Sequence, residues 1–213
     1  MKTVKEKQDY RIEKINAISI KKGTPLFDSI RWLTEAVYTD DTRYFMKGVH
    51  VEKEGLKTIL ISTDGRRLHK LEIEDLDIDA GEYQIDTNNN QVVILSTAKE
   101  KYEYPNWRKV VPNNKKHFKV SLAAKGKGGN DADFSINVAQ IIKTTGACLN
   151  QCFLNPLRGN DWKVSFETAN GAFVFTNGIM QAVIMPVKEV EALEVTEDAI
   201  YKIIPFEKIT AAA

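Results

Sequence analysis

The chain has 213 residues, 43% hydrophobic and 28% charged, the balance of an ordinary globular protein with a sizeable core. Its 30 Lys and Arg residues offset 29 Asp and Glu residues, which excludes a globally basic protein and leaves only a local patch for phosphate. It has two cysteines, no apolar run of membrane-spanning length and a charged N-terminus without a signal-peptide core. These features predict a cytoplasmic protein without disulfides.

Apolar periodicity predicts that the first half is a strand, a helix and a series of strands. Residues 15–21 are expected to form the first strand. Residues 23–41 are expected to form a helix that Thr24 caps and Pro25 begins. A tight turn at Asp64-Gly65 separates two of the later strands. Those later strands are predicted at 43–55, 57–63, 66–74, 82–86, 90–97 and 101–105.

The prolines and asparagines of residues 104–116 interrupt this pattern and predict a boundary. A strand follows, and then a helix within 134–150, for which Asn137 is the expected N-cap and Gln140 completes a capping box. The strands of this second half are predicted at 117–124, 152–157, 162–170, 171–178 and 181–187.

The element order of the first half therefore recurs in the second. It predicts an α+β fold of antiparallel sheets with two helices, in two pseudo-duplicated strand–helix–strands units. Residues 10–112 form one half and residues 113–190 the other, and together they are expected to make one unit. A charged arm (residues 1–9) and a C-terminal extension (residues 191–213) flank them.

Catalytic chemistry has little support in the sequence. His50, His69 and His117 stand apart, without a Ser or Cys motif around them. Cys148 and Cys152 lack the second pair of ligands that a zinc site needs. The acidic connector before Gly81 lacks the spacing of a calcium loop, and no phosphate-binding loop is present. We therefore expect a protein that is not an enzyme and has no cofactor or metal.

Four short segments carry a more specific signal: RYFMKG (43–48), TDGRRL (63–68), PNWRKVVP (105–112) and IMPV (184–187). In this order they resemble motifs of the bacterial sliding clamp, the beta subunit of DNA polymerase III. That family has an Arg-Tyr-Tyr-Leu-Asn-Gly-like strand, a Thr-Asp-Gly-His-Arg-Leu turn, a Pro-Asp-Tyr-Arg-Arg-Val-Leu-Pro domain junction and a C-terminal Val-Met-Pro-Met.

The resemblance implies a DNA-clamp-like fold and a processivity or tethering role in DNA replication or repair. It further implies an apolar pocket that takes a short linear motif from DNA polymerase and other replication or repair proteins. Apolar residues would form the wall, while Thr63, Arg67 and Lys109 would hold a glutamine side chain, peptide carbonyls or an acidic flank. The residues expected at this pocket are Met46, Thr63, Gly65, Arg67, Leu68, Pro105, Lys109, Val110, Val183, Ile184, Met185 and Pro186.

The chain also departs from the family, because it shows only two clear helices and those helices carry few cations. Duplex DNA without sequence specificity is therefore a weaker expected partner. The sequence leaves undecided whether copies of the chain assemble into a homo-oligomeric ring. An alternative is a reduced clamp relative that acts as a protein-interaction adaptor or decoy and does not encircle DNA. The candidate DNA contacts are lysines in expected loops: Lys99, Lys101, Lys115, Lys116, Lys125 and Lys127.

Overall fold

One antiparallel sheet of ten strands, with helices on one face, forms the described part of the chain. The computed structural model describes residues 17–38, 47–74, 76–87, 91–96, 104–112, 116–125 and 131–187. The strands are β1 (Ala17–Lys21), β2 (Val49–Glu54), β3 (Lys57–Thr63), β4 (Arg67–Glu74), β5 (Gly81–Thr87), β6 (Gln91–Ser96), β7 (Lys116–Leu122), β8 (Asn160–Phe166), β9 (Phe173–Asn177) and β10 (Met180–Ile184). The helices are α1 (Pro25–Thr34), α2 (Ala132–Thr145) and α3 (Gln151–Leu154). None of these helices is long and apolar enough to serve as a membrane span.

The strand order is β1-β6-β5-β2-β3-β4-β10-β9-β8-β7. Its centre is the pairing of β4 with β10, in which Leu68 lies opposite Val183. Each half thus brings its own hairpin, β3–β4 or β9–β10, to the middle of the sheet. The predicted α+β architecture with pseudo-duplicated units is confirmed, and the sheet runs without a break from one half into the other.

Helix α1 forms where predicted, and Pro25 occupies its first turn. Its buried residues Phe27, Ile30 and Leu33 recur at helical spacing and face the sheet. Thr24 stands at the N-cap position as predicted, but its side chain makes no capping hydrogen bond; its hydroxyl donates to the carbonyl of Lys21, 2.9 Å away.

Two local predictions in the second half are wrong. Helix α2 begins at Ala132, so Asn137 is not an N-cap; its side-chain oxygen accepts the Ala123 N–H at 2.9 Å and ties the helix to the end of β7. Residues 152–157 are not a strand but belong to α3 and a 3-10 turn. Asn150 caps α3 by accepting the Cys152 N–H at 2.9 Å, a local bond that competes well with sheet pairing.

The helices cover one face of the sheet, which we call the inner face. Alternate strand residues point to it and form the main core with α1 and α2. The largest side chains in this core include Trp162, Phe173 and Phe175, all almost fully buried. The opposite, outer face carries the candidate site.

Candidate peptide-binding site

A segment without regular strand structure, residues 104–112, crosses the outer face; we call it the strap. Tyr104 and Trp107 of the strap are 8% exposed and pack on the sheet. The second cluster that they complete contains Ile59, Ile61, Leu68, Ala172, Val174 and Val183. This explains why β3 is buried on both faces, since the helices cover one face and the strap covers the other.

The β3–β4 turn is built by its own side chains. The Asp64 carboxylate accepts the backbone N–H groups of Arg66 and Arg67, both at 2.9 Å. The Thr63 hydroxyl accepts from the Gly65 N–H at 3.1 Å and donates to the Arg67 carbonyl at 2.7 Å. Gly65 has a φ of +83°, a left-handed conformation that suits glycine. Asp64 and Gly65 therefore shape the turn.

A cavity of about 230 Å³ lies between this turn, the strap and the end of β10. It exceeds the apolar cavity of about 150 Å³ that holds benzene, yet is smaller than drug-sized sites of about 300–1,000 Å³. One or two apolar side chains of a ligand would fill it. The lining residues are Thr63, Gly65, Arg66, Arg67, Leu68, Pro105, Asn106, Trp107, Val110, Val183 and Met185.

The structure brings together most of the described residues that the sequence placed at a pocket. Thr63, Gly65, Arg67, Leu68, Pro105, Val110, Val183 and Met185 all border this cavity. The Met185 N–H donates to the Arg66 carbonyl at 3.0 Å, which fixes the end of β10 beside the turn.

Three described residues that were expected at the pocket do not line the cavity, and a fourth expected residue is not described. Ile184 lies in the main core, because adjacent residues of β10 alternate between faces and Val183 takes the outer one. Lys109 and Pro186 are neighbours of lining residues but do not line the cavity themselves. Met46 falls outside the described residues.

Arg67 borders the cavity, but its guanidinium also has partners within the protein. Its guanidinium bonds to the Asp64 carboxylate at 3.0 Å and to the Glu35 carbonyl at the end of α1, and lies 4.9 Å from the centre of the Phe153 ring. These contacts place the charge towards the helices. The cation that lines the cavity and is exposed is Arg66, which the sequence reasoning left out together with Asn106 and Trp107. The motif PNWRKVVP itself contained the last two.

A polar network fastens the strap to β2. The Glu52 carboxylate accepts the Trp107 indole N–H at 2.9 Å and two N–H groups of Arg108 at 3.0 and 2.6 Å. Arg108 also reaches Glu54 at 2.5 Å. The guanidinium of Arg108 and the ammonium of Lys70 lie 4.4 and 5.3 Å from the centre of the Trp107 ring. Although burial alone would raise it, the pKa of Glu52 is lowered by these donors and by His50.

His50 joins this network from the same strand. Its two ring nitrogens lie 2.5 Å from a Glu82 oxygen and 3.1 Å from a Glu52 oxygen. Its ring stacks on Tyr104 of the strap, with centroids 4.6 Å apart and planes within 7°. Burial disfavours the charged imidazolium, but the two carboxylates outweigh it and raise the pKa of His50.

His69 and the two cysteines, the other candidates for chemistry, show no catalytic arrangement among the described residues. His69 is fully buried, stacks on Trp32 and bonds to its carbonyl at 2.9 Å, and burial lowers the pKa of His69 to about 3. Cys148 and Cys152 are exposed free thiols. Within the described ranges, no group of three His, Cys, Asp or Glu side chains could hold a metal ion.

Of the six lysines expected to contact DNA, the structure describes Lys116 and Lys125, which lie in different surroundings. Lys116 lies 5.8 Å from the centre of the Phe166 ring, and Lys125 borders a polar cavity with Asp131 and Arg158 near the helices. Lys99, Lys101, Lys115 and Lys127 lie outside the described residues, as do the arm (1–9) and the extension (191–213).

The fold of this chain is that of bacterial DNA sliding clamps, the beta subunits of DNA polymerase III. Solved structures of the bacterial DNA polymerase III beta subunit match this chain over 81–88% of its length, at 13–17% identity. The Borrelia burgdorferi subunit matches at 13% identity with a TM-score of 0.53, covering 88% of this chain and 67% of its own. The putative subunit from Eubacterium rectale matches at 14% identity with a TM-score of 0.55, covering 81% of this chain and 66% of its own. The Bacillus subtilis sliding clamp matches at 17% identity with a TM-score of 0.52, covering 84% of this chain and 66% of its own.

The resemblance seen in the sequence is thus confirmed at the level of the fold: the chain has the sliding-clamp fold, with a sequence only 13–17% identical to these proteins. It spans about two thirds of the length of each. No protein-family profile and no curated protein sequence matches it.

Proposed function

We propose that this protein is a non-enzymatic, clamp-like tethering factor of DNA replication or repair, which binds a short linear motif of a polymerase or another partner in the outer-face pocket. One observation carries the proposal: the turn, the strap and β10, which are far apart in sequence, converge on one apolar cavity. Short motifs bind by placing a few apolar anchors in such a pocket while polar groups set their orientation.

The pocket also indicates the chemistry of its ligand. Its walls supply Leu68, Val110, Val183 and Met185, and its size suits an aromatic or branched aliphatic anchor. Among the described residues, the Arg66 guanidinium has no carboxylate partner, so a ligand acid could pair with it. A suitable probe peptide is a fluorescein-labelled nonapeptide with an adjacent Leu-Phe pair and one glutamate, compared with its scramble.

The two adjacent arginines of the turn should behave differently. Arg66→Ala is expected to weaken the probe peptide about two- to fivefold, the size of an exposed ion pair, without changing the free energy of unfolding. Arg67→Ala is expected to lower that free energy by about 1–2 kcal/mol through its lost bonds to Glu35 and Asp64. Fluorescence anisotropy and urea unfolding of both variants measure the difference. If Arg67→Ala instead weakened the probe and Arg66→Ala lowered the free energy of unfolding, Arg67 would be the residue that contacts the ligand.

Self-assembly is the second part of the proposal. Within the described residues, β1 pairs only with β6 and β7 only with β8, so the sheet has an open edge at each end. Joining β1 of one copy to β7 of the next would be a heterologous contact, which closes into a ring when the rotation allows. Such a ring would let the chain stay on duplex DNA.

The adaptor or decoy is the alternative, and the helix surface favours it. On α1 the exposed cation Arg31 is offset by Asp28, and on α2 Lys143 is offset by Asp133. The exposed face of α2 also carries Ile136, 52% exposed, and Ile142, 39% exposed. A surface that slides on DNA requires many unpaired cations instead.

Retention on DNA separates the two functions. A ring predicts a mass in light scattering well above the 24.1 kDa of one chain, and retention on nicked circular DNA that is lost when the circle is cut. The adaptor predicts that the probe peptide binds to a small species with no topological retention. If the probe binds no better than its scramble to any species, the proposed function is wrong.

A further inference from the structure

The pocket has one wall that does not belong to the sheet. Pro105, Asn106, Trp107 and Val110 come from the strap, and the remaining lining residues come from the turn and β10. Because the strap has no strand pairing to hold it, its position depends on side-chain contacts. The pocket therefore exists only while those contacts keep the strap on the sheet.

Glu52 makes the central contact of this kind. It receives three N–H donors from two consecutive strap residues, Trp107 and Arg108. A carboxylate with several charge-assisted donors is a strong and geometrically specific anchor. Glu52 is 22% exposed and does not line the cavity, so it would act on a ligand only through the strap.

His50 holds Glu52 from the other side. Both of its ring nitrogens face carboxylate oxygens, one of Glu82 and one of Glu52. Only the protonated ring donates from both nitrogens, whereas the neutral ring would leave one nitrogen lone pair against a carboxylate. The other residues next to His50 are the uncharged Ile61 of β3 and the ring of Tyr104 in the strap. Arg108, a cation of the strap, bonds to Glu52 rather than to His50.

We propose that Glu52 is the positioning residue of the pocket, and that the protonated form of His50 holds it in place, so that ligand affinity depends on pH. This deepens the peptide-binding function proposed above and rests on it. No contact between Glu52 or His50 and the ligand is required, since both act through the strap wall.

The direction of the pH effect follows from the shift at His50. Its pKa is raised in the folded protein, so its contribution is complete below the ordinary value of about 6.5 and is lost as the pH rises through the raised value. The glutamate of the probe peptide stays ionised throughout this window. For this comparison the probe carries blocked termini and, in place of fluorescein, a label that does not titrate in this window, so a loss of affinity between about pH 6 and pH 9 comes from the protein.

The experiment measures the dissociation constant of the probe peptide at about pH 6 and pH 9, and hydrogen exchange of residues 104–112, in the full chain. The wild type is expected to bind about tenfold more weakly at the higher pH. His50→Gln should bind weakly and equally at both. At both pH values, Glu52→Gln should bind the probe about tenfold more weakly than the wild type does at about pH 6. Its hydrogen exchange should be faster in the strap but not in β3.

Glu54→Gln is the matched control, because it makes the same change on the same strand at a residue that contacts only Arg108 of the strap. It should change affinity less than about twofold. Should Glu52→Gln fail to fold, Arg108→Gln, at a side chain that is 49% exposed, removes the same anchor.

The outcomes are distinguishable. Unchanged strap exchange and affinity in Glu52→Gln would overturn the positioning role, and a wild-type affinity that does not vary with pH would overturn the part of His50. Faster strap exchange in Glu52→Gln, together with no probe binding by the wild type at any pH, would support the positioning role while refuting the peptide-binding function.

Discussion

Replacing Met185 with glutamate is expected to weaken binding of the probe peptide at least about thirtyfold, or about 2 kcal/mol. Met185 lines the pocket yet is 41% exposed, so the free chain can keep the new carboxylate in water. When a peptide anchor enters, that carboxylate loses water beside Leu68 and Val183, and it competes with the ligand acid for Arg66. Anisotropy titrations of folded variants at one pH measure the effect.

Ile179→Glu is the control for this substitution. Ile179 is 47% exposed in the β9–β10 turn and lies outside the pocket, so the change in surface chemistry is the same. Its affinity should equal that of the wild type. Val110→Glu, on the strap side of the pocket, should repeat the loss seen for Met185→Glu. If Ile179→Glu weakens the probe as much as Met185→Glu does, the probe does not occupy this pocket.

The pocket could be predicted from sequence to the extent that short motifs fix local geometry. The turn needs Asp64 and Gly65 in order, and the alternation of β10 places Val183 and Met185 on one side of the strand. The same alternation sends Ile184 to the core, which the motif match alone concealed. A motif match identifies residues by their position along the chain, whereas only residues that face the outer side of the sheet can line the pocket.

Charge roles were harder to predict, because they depend on distant partners. Arg66 and Arg67 are adjacent and identical in type, and only the position of α1 and α3 decides which one is engaged. Likewise, the link from Glu52 to Trp107 and Arg108 joins segments more than 50 positions apart. Nothing in the local pattern of either segment indicates it.

The two secondary-structure errors have different causes, one local and one tertiary. Residues 152–157 contain apolar residues that suit a strand, but Asn150 and Pro156 favour a helical turn with a side-chain cap. For α2, the apolar periodicity predicts the helix, but its start is Ala132 rather than Asn137, whose side chain accepts the Ala123 N–H just after β7. Caps are predictable only where no tertiary partner competes for the side chain.

The continuity of the sheet leads us to propose that residues 10–112 and 113–190 fold as one cooperative unit. Trp162 of β8 joins the parts of the main core that the two halves contribute. It is 1% exposed and lies 6.2 Å from the Trp32 ring of α1 and 6.4 Å from the Phe175 ring. Its indole N–H also donates to the Leu157 carbonyl at 2.7 Å.

Trp162→Ala is therefore expected to lower the free energy of unfolding by about 3–5 kcal/mol, a large part of the total for a domain of this size. Because the cavity opens beside both halves, β3 and β8 should lose protection together as urea rises, which hydrogen exchange with mass spectrometry measures. Leu56→Ala, at a side chain that is 82% exposed, should change neither the free energy of unfolding nor the protection of β3 and β8. Separate transitions, with β3 still protected after β8 has exchanged, would mean that the halves are independent domains joined only at the β4–β10 pairing.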